Sequence, residues 1–412
     1  MLPRAFITPN DHWSKKTDNP ISQAVRVGNF LFIAGQISID RDQNIFAPYN
    51  ILEQTKFVME QIISVLSNAN FDIGDLVQLR GFYASGICED EYLIEKQISF
   101  VLGELNCPGP VLTLVPMPTL RPEGIVIQIE AIAMRGQNGE ILSRTVAWDS
   151  TWSGPSKPFS QALKVANMIF TSGITAHAID TIPAEGDLAE QCHLVMHRID
   201  RLLSQLGACF DDVVKSNIYN AESGTKDDWA RPALIRASYY NEPGPAATGI
   251  SAISLFPKGI MTKKDVVAMI NPNGTRIERQ HVWPNDHWDW TIHLPYRHGL
   301  KAGDLVFLGG QVPLKSDASV AYVGDISKQT EMSMEYISRI LEELGMDFTN
   351  IVRMNTFFVS DGKGPLAELE YQKNFLARNS FFHSSPPVFS DIQVPYLAYE
   401  EMNIEIDVIA VA

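Results

Sequence analysis

The chain has 412 residues, a net charge of −15, 45% apolar residues and 20% charged ones. Such acidity, with no basic stripe, excludes nucleic acid as a partner, because phosphate binding needs clustered cations. No apolar run reaches the roughly 18 residues of a membrane span, Met1–Phe6 carries no signal-peptide core, and Cys88, Cys107, Cys192 and Cys209 form neither a CxxC nor a zinc spacing. The expectation is a cytoplasmic chain with reduced thiols and no metal or other cofactor.

In chain order, Pro20-Ile21-Ser22-Gln23-Ala24 leads into an apolar, β-branched run from Val25 to Ile33, which Gly35 closes. That composition predicts strands. Glu53-Gln54-Thr55 then opens a stretch in which Phe57, Ile62, Val65 and Leu66 recur at helical spacing. Val77 to Tyr83 reads as a strand, residues 89–104 as a second helix, and Cys107-Pro108-Gly109-Pro110 as a turn. Two strands follow, the last closing on Ile125 to Ala133.

The same series then starts again twice. Pro158-Phe159-Ser160-Gln161-Ala162 and Pro295-Tyr296-Arg297-His298-Gly299 stand where copy one has Pro20 to Ala24. The glycines Gly35, Gly173 and Gly310 fall 138 and 137 residues apart, and Leu66, Leu203 and Leu341 keep the same period. Helical spacing returns in Leu194, Met196, Ile199, Leu202 and Leu203, and in Met334, Ile337, Ile340, Leu341 and Leu344. Second helices are predicted near 226–240 and 365–380, before the turns at Glu242-Pro243-Gly244-Pro245 and Ser385-Pro386-Pro387. The chain therefore divides into 1–137, 138–275 and 276–412. Each part has the order ββαβαββ, an α+β class in which two helices cover one sheet face. The economical cover for the other face is a neighbouring copy.

A second repeated signal precedes each copy. Asn10-Asp11-His12-Trp13 returns as Asn285-Asp286-His287-Trp288, and copy two has Asp149-Ser150-Thr151-Trp152 instead. One reading places His12, Trp13, His287 and Trp288 around a substrate, with Asp orienting the imidazole. The other is a structural clasp. Neighbours on an extended segment point to opposite faces, which favours the clasp. His193 and His197 lie four apart but lack a third ligand, so they make no zinc site.

The motifs P-[YF]-S-Q-A, N-x-[LI]-F-x-[SA]-G-Q, E-Q-T and the closing [VI]-x-[IV]-E-[AV]-I-A resemble those of the Rid family, the YjgF-like reactive-intermediate deaminases. The resemblance spans nearly the whole chain, three times over. It implies chorismate-mutase-like domains, which in the family assemble as homotrimers with clefts between subunits. One chain with three copies is similar to such a trimer fused into a pseudo-trimer. It also implies hydrolysis of imines or enamines to a carbonyl compound and ammonia, without metal or cofactor.

The family site, so implied, uses a Tyr in the P-Y motif, a Ser before G-Q, a carboxylate-clamping Arg after the second helix and a Glu on the last strand. Copy one offers Ile21, Ala34, Gly109 and Glu130. Copy two offers Phe159, Ser172, Thr248 and an apolar residue near Ala268. Copy three offers Tyr296, Gly309, Val388 and Asp407. No copy has the Arg, and no Lys or small residue reproduces its bidentate fork. The candidate catalytic set is thus Glu130, Tyr296, Ser172 and Asp407, with Arg297 and His298 as a replacement clamp. Glu130 leads, because a carboxylate in a desolvated cleft can serve as acid and base near neutrality.

The expected function is hydrolysis of a C–N bond of a small-molecule substrate, one that lacks the usual carboxylate or has it held by another cation. The alternatives are a binding protein that kept the scaffold without the chemistry, and a different reaction on that scaffold. The catalytic reading expects Glu130 and Tyr296 to share a cleft. Further pairing of pseudo-trimers is left open.

Overall fold

The computed structural model describes residues 2–10, 12–13, 21–221, 226–360, 365–383 and 386–412. Asp11, Pro20 and Ser385 of the motifs above lie outside the described residues. Copy one contains β1 (Arg4–Ile7), β2 (Ala24–Val27), β3 (Phe30–Ile37), α1 (Ile51–Asn68), β4 (Leu76–Ala84), α2 (Glu91–Leu102), β5 (Val111–Met117) and β6 (Ile127–Met134). Copy two contains β7 (Arg144–Ala147), β8 (Ala162–Val165), β9 (Met168–Thr171), β10 (Ile174–Thr175), α3 (Leu188–Gln205), β11 (Val213–Ala221), α4 (Lys226–Ala237), β12 (Ala246–Ala252) and β13 (Thr262–Met269). Copy three contains β14 (Arg279–Val282), β15 (Gly299–Ala302), β16 (Leu305–Leu308), α5 (Ile326–Glu342), β17 (Ile351–Val359), α6 (Pro365–Asn379), β18 (Val388–Val394) and β19 (Ile404–Val411).

Each sheet is mixed. Its order in copy one is β1-β2-β3-β6-β4-β5, and the equivalent order holds in the other two. Among the strand pairs of the described residues, β4–β5 and its counterparts β11–β12 and β17–β18 are parallel, and α2, α4 and α6 supply their crossovers. The observed order departs from ββαβαββ by a short edge strand at the start of each copy. β1, β7 and β14 are half-exposed four-residue strands, too short to show a period, so periodicity did not reveal them. Each begins on an arginine that reaches a backbone carbonyl of the preceding copy, counted cyclically. Arg4 donates to Val411 at 2.8 Å, Arg144 to Leu76 at 2.9 Å and Arg279 to Val213 at 3.1 Å.

The E-Q-T motif has a structural use. Asn50, Asp187 and Asp325 cap α1, α3 and α5 through their side chains, each accepting from one of the otherwise unpaired N–H groups at the helix start. In the next turn the buried amides of Gln54, Gln191 and Gln329 each bond the loops on both sides. Gln54 donates to Ala47 and Gly124 and accepts from Val126 N. Gln191 does the same with Ala184, Gly259 and Met261, and Gln329 with Ala321, Glu401 and Asn403.

The helices cover one face of each sheet, as Val58, Ile62 and Val65 of α1 do against Leu31, Ile33 and Ile129. The second faces meet one another around a common axis. Phe32, Ile132, Phe170, Val267, Phe307 and Ile409 form one core drawn from all three copies. Farther along the axis Phe82 meets Tyr219 and Phe357 edge-on, with ring centroids 6.5 and 6.3 Å away. Each such buried side chain contributes about 1.5–3 kcal/mol, so the copies hold together as a pseudo-trimer by ordinary apolar burial.

Candidate active site

A polar layer lies between those two apolar ones. Strand register places Arg80 opposite Glu130, Asn217 opposite Asp265 and Asn355 opposite Asp407. The three carboxylates are therefore equivalent, and copy two has Asp265 where the sequence suggested an apolar residue near Ala268. Each is held by the preceding copy. Asp265 takes Arg80 at 2.9 Å and Thr113 Oγ1 at 3.4 Å. Asp407 takes Lys215 and Thr248 Oγ1, each at 2.8 Å. Glu130 takes Arg353 and, at 2.7 Å, Ser390 Oγ, and also Arg80 of its own copy at 3.1 Å.

Cations and carboxylates thus gather in one layer that rings the axis, with Arg80 joining Asp265 to Glu130, and all six are buried. Leaving one of them unpaired there would cost several kcal/mol. Burial pushes the Asp407 carboxyl up, but Lys215 and Arg353 outweigh it and hold the group below its ordinary value.

This corrects the sequence reading in two ways. Glu130 and Asp407 lie at the axis, where Asp407 borders a small axial cavity with Arg80, Lys215 and Arg353, their oxygens are bound to neighbouring cations, and neither lines the clefts between copies one and two or two and three. The residues equivalent to Thr248 are Thr113 and Ser390, set by the parallel register with β4 and β17, and not Gly109 and Val388. Ser172 is equally committed. Its Oγ donates to Ser160 O at 2.7 Å and accepts from Leu112 N at 2.9 Å, which ties copy two to copy one.

The N-D-H-W segments form the clasp. His12 Nε2 bonds Gln36 Oε1 at 2.5 Å, Gln36 donates to Gln23, and Gln23 donates to Trp13 O. In copy three His287 Nε2 bonds Gln311 Oε1 at 2.8 Å, and Gln311 Nε2 points to His298 Nδ1 at 3.4 Å. His298 Nε2 then donates to Trp288 O at 2.9 Å. His298 therefore does the work of Gln23 and is not a clamp. Burial lowers the His287 imidazole to about 4 and takes that of His298 well below its ordinary value, so both are neutral donors. Copy two lacks the His, and its Gln161 bonds Asp149 and Trp152 directly.

Clefts lie where the second helix and last parallel strand of one copy face the arm of the next. Their floors differ in charge at one equivalent position, two residues before each ring carboxylate and so on the same sheet face: Gln128, Lys263 or Glu405. Between copies one and two, Lys263 Nζ lies 2.8 Å from both oxygens of Glu91 and 2.6 Å from Leu114 O. Its ammonium fills the floor. Between copies three and one, Ile21 is buried in the core of copy three and Ser22 Oγ donates to Pro386 O.

Between copies two and three the floor is Glu405. The cleft measures about 690 Å³ including the open solvent at its mouth. It is lined by Trp229, Arg236, Gly249, Trp283, Trp288, Asp289, Trp290, Tyr296, Arg297, His298, Gly309, Gly310 and Glu405. A Cβ on Gly310 would overlap the Glu405 carboxyl, so glycine is what lets that group lie against the backbone. Burial raises Glu405 to about 8, against the opposing pull of Lys215.

Tyr296 packs against Tyr240 with centroids 5.8 Å apart, and burial raises its phenol to about 12 beside Arg236. Arg297 pairs with Glu242 at 2.8 Å and lies over Trp283. The cleft thus brings together Tyr296, Arg297, His298 and Trp288 of the sequence-stated candidates and does not include Glu130, Ser172, Asp407, His12, Trp13 or His287. Glu405, Arg236, Trp229, Trp283 and Trp290 were missed. The alternation Glu405-Ile406-Asp407 and the three tryptophans within eight residues of copy three were the available signals.

Comparison with known proteins agrees with this architecture. The family model described as endoribonuclease L-PSP matches residues 14–135, 152–262 and 291–412. A RutC family protein of Pyrococcus abyssi is 34% identical over 120 residues, 29% of this chain and 90% of that one. Protein DfrA of Myxococcus xanthus is 31% identical over 120 residues, 29% of this chain and 86% of its own length. A chorismatase crystal structure matches 82% of this chain and 93% of its own with a TM-score of 0.54 at 12% identity, a likeness of fold alone.

Proposed function

The chain belongs to the endoribonuclease L-PSP family, the Rid or YjgF-like proteins, in three tandem copies, and on that premise we propose that its cleft between copies two and three hydrolyses the C–N bond of a small imine or enamine. The observation that carries this is Glu405, a buried carboxyl on the floor of a cleft, raised to about 8. Perturbed acids in clefts are what proton-transfer chemistry requires.

The neutral carboxyl of Glu405 donates its proton to the imine nitrogen. The resulting carboxylate takes a proton from the water that attacks the carbon, giving a carbinolamine and restoring the acid. Glu405 then protonates the amino nitrogen, ammonia leaves, and the hydroxyl proton returns to the carboxylate as the carbonyl forms. An enamine enters after tautomerising to the imine. Arg236 and Arg297 supply cations at the cleft in place of the absent strand arginine, so a substrate carboxylate has a partner there.

The test is ammonia release from freshly generated imines and enamines, with and without carboxylates, by the wild type and Glu405→Gln. We expect turnover that the variant loses by roughly 10²-fold or more, flat below pH 8 and falling above it. Turnover unchanged in the variant refutes the assignment of Glu405. The commitment of Glu130 and Asp407 to the ring favours a second reading, a binding protein without chemistry. Its mark would be ligand binding in this cleft with no release above the buffer rate.

A further inference from the structure

Four of the seven tryptophans in the chain line this one cleft. Trp229 of α4 and Trp290 of the copy-three arm meet with centroids 4.4 Å apart. Trp288 stands edge-on to Trp290 at 4.9 Å, and Trp283 and Trp288 flank His298 at 4.4 and 4.5 Å. Tyr399 closes the back of the group, 5.5 Å from Trp290.

The contrast with the cleft between copies one and two is informative. There the arm runs Trp152-Ser153-Gly154, and here it runs Trp288-Asp289-Trp290. Gly154 thus stands where Trp290 does. The same change of cleft turns the floor from a paired Lys263 into Glu405. Wall and floor differ together: the first cleft sets Glu91 and Glu95 beside Trp152, Tyr92 and Phe256 with Lys263 on its floor, whereas this one sets Glu405 beneath four tryptophans.

Resting on the functional reading above, we infer that the substrate of this cleft carries a planar aromatic or conjugated ring, held edge-to-face among Trp229, Trp283, Trp288 and Trp290. Its C–N group then points at Glu405 and Gly310. The indole faces carry negative potential and their edges positive, so an aromatic ring gains an oriented contact that an aliphatic ring of the same size does not. Polar groups gather at the floor by Glu405 and at the rim by Asp289 and Arg297, which fixes which end of the ligand is inside. The walls also reject extended aliphatic chains, since rigid indoles cannot repack around them as Met or Leu would.

The inference can be tested without turnover, using unreactive amides as probes. Benzamide, 2-naphthamide and cyclohexanecarboxamide would be titrated calorimetrically into the full chain, Trp290→Ala, Trp283→Ala and Glu405→Gln. Circular dichroism would establish that each variant is folded, and Trp283, being 37% exposed, is the safer truncation. We expect the aromatic amides to bind about tenfold tighter than the cyclohexane one, that preference to shrink in both tryptophan variants, and Glu405→Gln to keep it. Equal binding of all three amides, or binding of none, overturns the inference. A ring preference without ammonia release from any imine would leave the inference standing and sink the hydrolase reading. Equal release from aliphatic and aromatic imines would do the reverse.

Discussion

Replacing Glu405 by Gln should stabilise the protein, and by an amount set by pH. The carboxyl titrates near 4.5 when solvated and about 8 in the folded chain. Below pH 4.5 both states hold the proton, and the group is indifferent. Between 4.5 and 8 the unfolded chain releases a proton that the native state keeps, so native stability falls as pH rises. Each pH unit costs about 1.4 kcal/mol, so the penalty approaches roughly 3–5 kcal/mol near pH 8 and is flat beyond. Glutamine keeps the shape and a donor but cannot ionise. The assay is urea unfolding of the wild type and Glu405→Gln at pH 5, 7 and 9. The advantage of the variant should grow from about 1 kcal/mol or less at pH 5 to its full value at pH 9. An advantage that stays the same at all three values would show that Glu405 is not a desolvated acid, and the mechanism built on it would go with it.

Four further outcomes follow from the same structure. Arg353→Met leaves Glu130 short of a cation in the axial ring and should lower stability by about 3–5 kcal/mol, read by thermal melting, whereas the ammonia assay on surviving folded protein should keep most of its rate. His298→Gln restores the residue that copies one and two use and should change the melting temperature little, while His298→Ala leaves Trp288 O without its donor and costs about 1 kcal/mol. Since His287 titrates at about 4 in the folded chain against an ordinary 6.5, the stability it contributes is present above pH 6.5 and is lost as pH falls towards 4, and His287→Gln should blunt that acid sensitivity in a pH series of melting curves. Lys263→Met should leave ammonia release at wild-type rates, because its cleft lies apart from Glu405. A large loss of rate would place chemistry between copies one and two.

Most of the fold was legible in the sequence because it was written three times. Glycine spacing, helical periodicity and the proline turns each repeat, and noise does not repeat in phase. The edge strands β1, β7 and β14 escaped, since a half-exposed four-residue strand is too short to show a period. Motif reading also found the clasp, in which His12 and His287 bond Gln36 and Gln311.

The site was less legible. Glu130 and Asp407 looked like catalytic acids because the family resemblance implies a Glu on the last strand, yet two residues along a strand separate the axis from a cleft. Sequence counts residues along a strand. It does not say which of two same-facing positions lies under a neighbour's arginine and which under a neighbour's tryptophans. Glu130 is satisfied by Arg353 of copy three, 223 positions away, and Glu405 owes its raised proton affinity to burial against copy two. Local pattern, then, determined three α+β domains with one shared face each, since periodicity and turn chemistry act over a few residues. Only the closing of the three copies around an axis decided which carboxylates became structural and which one remained in a cleft, because desolvation and charge pairing depend on what arrives from elsewhere in the chain.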